Sequence, residues 1–218
     1  MIDKNMTFID TLQERGFVKQ TTSSDFPTKI IPYIGFDLTA DCLHVGSLIQ
    51  LMVLRHAVHS GITPIVLLGG FTTKIGDPTG RSTSRPILSD GQIEINKNGI
   101  KDVITRIVGE NVIFVDNNDW MSKLSFTDFL MEFTRFFSVN SMINMHSIRT
   151  RLDSQDHMSV MEFNYSLSQA IDFWMLNQEF GCNLQIGGSD QWGNITTGTN
   201  LIHKKIGKDN VAFGLTTP

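Results

Sequence analysis

IIPYIGFDLTADCLHVGSLIQLMVLRHAVHSGITPIVLL, residues 30–68, is the stretch that decides the fold. Ile30, Ile31, Tyr33, Ile34 and Phe36 make a short apolar run that reads as a buried strand. From Leu43 to His59, Leu48, Leu51, Met52, Leu54 and Val58 recur at helical spacing, with Gly61 as the stop and Pro64 restarting the chain. Residues 63–68, TPIVLL, are the next strand. Strand, helix and strand in this order form a βαβ unit, which implies a right-handed crossover and a parallel sheet.

Working outward, residues 8–15 carry Phe8, Ile9 and Leu12 at helical spacing and end at Gly16. On the other side, residues 69–91 place Lys74, Arg81 and Arg85 among Gly, Pro, Ser and Thr, a loop composition. A helix is expected over 92–109, a strand over 112–115, and a long Phe-rich helix over 124–147, inside a helical insertion of about residues 120–160. A helix over 161–180, stopped by Gly181, and a strand over 183–186 complete an α/β chain with no internal repeat.

Composition narrows the function. Hydrophobic residues make up 40% and charged residues 18% of 218, a globular mixture. The net charge of −4 and scattered Lys and Arg argue against a dedicated nucleic-acid module. No run approaches a membrane span or a signal peptide. Cys42 and Cys182 lie too far apart in sequence for a disulfide framework or a closed zinc site in the usual patterns. We therefore expect no metal site and a reducing, cytoplasmic setting, a bacterial cytoplasm rather than an organelle.

Four segments carry candidate chemistry. YIGFDLTADCLHVGSL, residues 33–48, runs from a strand into a helix N-terminus, a place suited to an anion; His44 either donates to a phosphate there or caps the helix, and Gly46 lets a ligand approach the backbone. GGFTTKIGDPTGR, residues 69–81, lacks both common nucleotide fingerprints; its Asp77 either serves a ligand at the sheet edge or caps a turn. In MEFNYSLSQAIDF, residues 161–173, Tyr165, Gln169 and Asp172 stand at i, i+4 and i+7, a polar stripe facing either a cavity or solvent. LQIGGSDQWGN, residues 184–194, brings Gly188, Asp190 and Gln191 to a strand end, where backbone and carboxylate can meet a ribose.

Together these segments, with LQERGF, NNDW at 117–120, FFSVN at 136–140 and FGLTTP at 213–218, resemble tyrosyl-tRNA synthetases, class I enzymes with a Rossmann-like catalytic domain and a HIGH-type motif, here His-Val-Gly-Ser. The resemblance implies tyrosine activation by ATP with Mg²⁺, transfer to tRNA(Tyr), a homodimer and no tightly bound cofactor. It assigns Tyr33 and Asp172 to the substrate hydroxyl, Asp77, Tyr165 and Gln169 to its ammonium, and Gln191 to the reacting carboxylate. Asp37, Gly46, Gly188 and Asp190 fall to the ammonium, ribose and nucleotide region, Thr39 and His44 to the phosphates, and Arg81 and Arg85 to the pyrophosphate. Ser47 stands where the motif usually ends in His.

The resemblance also leads one to expect a KMSKS-type lysine loop and a C-terminal anticodon-recognising region, neither of which occurs before Pro218. A chain of this extent is expected to bind tyrosine and to activate it poorly. The alternative is a non-catalytic tyrosine-binding or RNA-associated relative. Tryptophanyl-tRNA synthetases share the fold, but an indole offers only a donor and gains nothing from the Tyr33 and Asp172 pair.

Overall fold

A computed structural model describes residues 6–80, 86–209 and 211–218. Six strands form one sheet: β1 (Gln20–Thr21), β2 (Pro32–Asp37), β3 (Ile65–Gly69), β4 (Ile113–Asp116), β5 (Leu184–Gly188) and β6 (Phe213–Thr217), in the order β1-β6-β5-β2-β3-β4. All neighbours pair parallel except β1 with β6. The helices are α1 (Phe8–Glu14), α2 (Leu48–His59), α3 (Thr72–Ile75), α4 (Asp90–Val108), α5 (Asn118–Met121), α6 (Phe126–Asp128), α7 (Val139–Ile143), α8 (His146–Asp153), α9 (Val160–Phe163), α10 (Tyr165–Phe180) and α11 (Trp192–Ile206).

Alternation along the strands divides the core into two layers, because successive side chains leave a sheet on opposite faces. Ile34, Phe36, Val66, Leu68, Leu184 and Ile186 pack under α1, α2 and α4. Tyr33, Ile65 and Leu67 turn to the other face, against Phe173 and Leu176 of α10 and Ile202 of α11. Helices on both faces of a mostly parallel sheet make the expected Rossmann-like α/β fold.

Strand order positions the site. From β2 the chain winds outward through β3 and β4, then returns so that β5 lies on the opposite side of β2. Ligands of open α/β sheets bind beyond the strand C-termini at such a reversal. Here β2 and β5 pair only at Pro32 with Leu184 and Tyr33 with Gln185, whereas β2 and β3 stay paired from Tyr33 to Asp37. The two strands part above Tyr33, and a crevice opens between them.

Several expectations are corrected. Residues 124–147 do not form one helix: α6 runs into a π turn at Phe129–Phe133, a 3₁₀ turn at Thr134–Phe136, an extended Phe137, and then α7. Phe129, Phe133, Phe136 and Phe137 still pack together against Ala170 and Ile171 of α10 and Leu201 of α11. Lys205 of α11 fixes this wrap, its ammonium lying over the rings of Phe133, Phe136 and Trp174. The helix over 161–180 breaks at Asn164 into α9 and α10. The loop over 69–91 contains the short α3, whose Thr73 hydroxyl accepts from the Leu38 amide at 2.7 Å. Strands β1 and β6 and helix α11 were not read from the sequence pattern; β6 is the FGLTT segment.

Candidate active site

The crevice holds a cavity of about 450 Å³. Its walls include Tyr33, Asp37, Thr39, His44, Gly46, Ser47, Asp77, Tyr165, Gln169, Asp172, Gly188, Asp190 and Gln191. Four sequence segments that are far apart in the chain therefore converge on one space. Arg81 and Arg85 lie outside the described residues.

At the deep end stand Tyr33 and Asp172, each about 1% exposed. The Tyr33 hydroxyl makes no hydrogen bond to the described residues, and burial together with the nearby Asp172 carboxylate pushes its pKa well above 10, so it remains a donor. Asp172 is held by two donors: Asn117 Nδ2 at 2.9 Å and Trp120 Nε1 at 2.8 Å. Burial raises its pKa from 3.8 to about 7, against the lowering effect of those two hydrogen bonds. A donor and an acceptor thus face one end of the cavity, preset for a group that both accepts and donates.

Asn117 and Trp120 were part of the quoted NNDW segment without a role. They are placed by β4, whose C-terminal end feeds directly into α5. Polar residues at a strand end in an α/β sheet were the available signal. Asn117 is fully buried and saturated: its Oδ1 accepts from the Phe71 amide at 2.8 Å, and its Nδ2 also donates to Thr72 Oγ1 at 3.0 Å. Thr72 in turn donates to Asp37 Oδ1 at 2.9 Å, and Tyr165 donates to Asp37 Oδ2 at 3.1 Å. One network therefore links Tyr165, Asp37, Thr72, Asn117, Asp172 and Trp120, and it anchors Asp37 within the protein.

Further along, Gln191 Nε2 donates to Asp77 Oδ2 at 2.8 Å and to Asp190 Oδ2 at 3.1 Å. Asp77 does both things open to it in the sequence: its Oδ1 accepts from the Thr79 amide at 2.9 Å, a turn cap, and it also lines the cavity. Tyr165 and Asp172 are buried and Gln169 borders the cavity, so the polar stripe of α10 faces inward and not to solvent. The carboxylates Asp37, Asp77, Asp172 and Asp190 share this space, and no Lys or Arg is among its described lining residues. Such a chamber suits an ammonium group.

At the outer end, His44 Nδ1 accepts from the Gly46 amide at 3.0 Å. That bond leaves Nε2 to carry the proton of the neutral ring, a donor available to a ligand. Gly46 is needed for it, since a Cβ there would lie 2.7 Å from His44 Cε1. His44 is therefore both the cap of the 3₁₀ turn that leads into α2 and a lining residue, with Ser47 and Thr39 beside it. Among the described residues, no group of three or more His, Cys, Asp or Glu side chains is arranged to hold a metal ion, and no helix is long and apolar enough to cross a membrane.

Residues 27–218 match the family model described as tRNA synthetases class I (W and Y). The chain belongs to this family. It is 46% identical over 224 residues to the tyrosine–tRNA ligase of Rickettsia felis, covering 98% of this chain and 54% of that protein. It is 48% identical over 222 residues to the tyrosine–tRNA ligase of Caulobacter vibrioides, covering 97% and 52%. The chain thus spans about half the length of the curated relatives it matches. A C-terminally truncated mitochondrial tyrosyl-tRNA synthetase of Aspergillus nidulans superposes with a TM-score of 0.88 at 29% identity, covering 98% of this chain and 69% of that one.

Proposed function

We propose that the chain supplies the amino-acid-activating site of a tyrosine–tRNA ligase, joining L-tyrosine to the AMP moiety of ATP before transfer to tRNA(Tyr). The observation that carries this reading is that the unpartnered Tyr33 hydroxyl and the Asp172 carboxylate both line the buried part of an acidic cavity. A phenol accepts from Tyr33 and donates to Asp172, whereas an indole has only its N–H to donate. The names of the bacterial relatives support the same substrate.

In this reading Asp77, Tyr165 and Gln169 receive the substrate ammonium, and Gln191 reaches its carboxylate. Asp37 acts chiefly by fixing Tyr165 and Thr72. Gly188 and Asp190 meet the ribose, while Thr39, His44, Gly46 and Ser47 border the phosphates of Mg²⁺-ATP, with Arg81 and Arg85 neutralising the pyrophosphate. A tyrosine carboxylate oxygen attacks the α-phosphorus as the bond to the bridging oxygen breaks, and pyrophosphate carries away the electron pair. A hydroxyl of the terminal tRNA ribose then attacks the tyrosyl carbonyl and releases AMP. The first step requires positioning and charge stabilisation in place of a general acid or base.

The short helices between β4 and α10 form the helical insertion, and their exposed Phe126, Leu130 and Met131 support a homodimer through this region. The bacterial relatives support a cytoplasmic setting. The direct test is thermal unfolding with ligand. Tyrosine at 100 times its Kd should stabilise the fold by about 2.7 kcal/mol, and phenylalanine at the same concentration should stabilise it far less. Equal stabilisation by both would overturn the assignment.

A further inference from the structure

Between the last β2–β3 register pair, Asp37 with Gly69, and the 3₁₀ turn at Val45–Ser47, residues 38–44 belong to no helix or strand. Thr39, Ala40, Cys42, Leu43 and His44 line the cavity, whereas Leu38 and Asp41 do not. Those two meet α4 instead. Asn96, about 2% exposed, donates from Nδ2 to the Leu38 carbonyl at 2.8 Å, and its Oδ1 accepts from Gln92 Nε2 at 2.9 Å. The Leu38 amide donates to Thr73 Oγ1 at 2.7 Å, so both backbone groups of Leu38 end on side chains. One turn further along α4, the bare backbone of Gly99 admits the Asp41 carbonyl. A Cβ on Gly99 would stand 2.0 Å from that oxygen and 2.9 Å from its carbon.

Asn and Gly are both poor residues for the interior of a 19-residue helix: the Asn side chain competes for backbone hydrogen bonds, and Gly loses the most conformational freedom. Here they stand three apart, on one helical face. Neither lines the cavity. Helix preference is thus given up at the two positions that touch residues 38 and 41, a pattern expected where an element serves a site from behind.

We propose that Asn96 and Gly99 are positioning residues for the nucleotide half of the site: they seat residues 38–41 and thereby set where Thr39 and His44 stand. The proposal rests on the tyrosyl-adenylate reading of the crevice. Tyr33 belongs to β2 and Asp172 to α10, and Asn117 and Trp120 hold the latter, so the amino-acid half rests on other elements. Loss of the seat should therefore separate the two halves, which a general loss of packing would not do.

Calorimetric titration of the chain with two ligands tests this: tyrosine, and a tyrosyl-adenylate analogue with a sulfamate in place of the phosphate. The wild-type chain should bind the analogue more tightly, and the ratio of the two dissociation constants measures what the nucleotide half contributes. Asn96→Ala, which adds no bulk and leaves the Leu38 carbonyl without its donor, should reduce that ratio about 10-fold, with tyrosine binding changed less than about twofold. Gly99→Ala should reduce it as well, and an unchanged ratio there would take Gly99 out of the seat. Gly91→Ala, in the first turn of the same helix with nothing within 4 Å of the added Cβ, should leave both constants unchanged. An unchanged ratio in Asn96→Ala, whether neither ligand or both weaken, would overturn the positioning role alone. If the wild-type chain binds the analogue no more tightly than tyrosine, the functional reading falls and this proposal with it.

Discussion

Asp172 shows how burial converts a common side chain into a selective one. Its carboxyl loses solvent first and regains part of that loss from Asn117 and Trp120, leaving a pKa of about 7. Between pH 3.8 and 7 the folded state therefore holds a proton that the unfolded state has released, and folding stability falls as pH rises through this window. Ligand binding runs the other way for tyrosine, because its hydroxyl donates best to the ionised carboxylate. Tyrosine affinity should increase from pH 6 to pH 8, and discrimination against phenylalanine should widen with it. Asp172→Asn should flatten both profiles and lower the preference for tyrosine; calorimetry at several pH values measures this, and an unchanged pH profile in the variant would contradict it. The residue types at 33, 165, 169 and 172 were legible in the sequence, whereas the inward direction of the α10 stripe was not. Either direction satisfies helical spacing.

At the level of elements, the connection from α8 to α9 rests on an ion pair inside the protein. Arg151 and Glu162, each 3% exposed, meet at 3.0 Å, and Arg151 also donates to the His157 carbonyl. Glu162 doubles as the capping-box residue of α9, accepting from the Ser159 amide at 3.0 Å. Arg151→Met alone removes the guanidinium that faces the buried Glu162 carboxylate and should cost about 3–5 kcal/mol in urea unfolding. Adding Glu162→Gln, which removes the charge and keeps the cap, should recover a large part of that loss. Full additivity of the two changes would show that the pair is not coupled. The break in the stretch 124–147 belongs to this scale too. Its aromatic spacing suits a helix, and only the curved surface offered by α10, α11 and the Lys205 ammonium bends it into a π turn.

For the whole molecule, the open question is its partner. Phe126 is 75% exposed, Leu130 42% and Met131 63%, three large apolar side chains within α6 and the π turn that follows it. The proposed homodimer predicts a dimeric mass at micromolar concentration by light scattering or ultracentrifugation. Phe126→Lys combined with Met131→Glu should shift that mass to the monomer while leaving tyrosine binding in the cavity largely intact. A monomeric mass for the unaltered chain would remove the homodimer.

The sequence by itself determined the βαβ start, the strands β4 and β5 on either side of it, and the residue types that line the cavity. Strand and helix periodicities are written within a few residues of each position, and the four polar segments sit where those periodicities end. Tertiary structure alone decided that β2 and β5 part above Tyr33, that Asn117 and Trp120 grip Asp172, and that Asn96 and Gly99 meet the backbone of Leu38 and Asp41. It also decided the pairing of β1 with β6. These features depend on groups separated by up to the full length of the chain, and both desolvation and hydrogen-bond satisfaction are sums over every atom packed nearby.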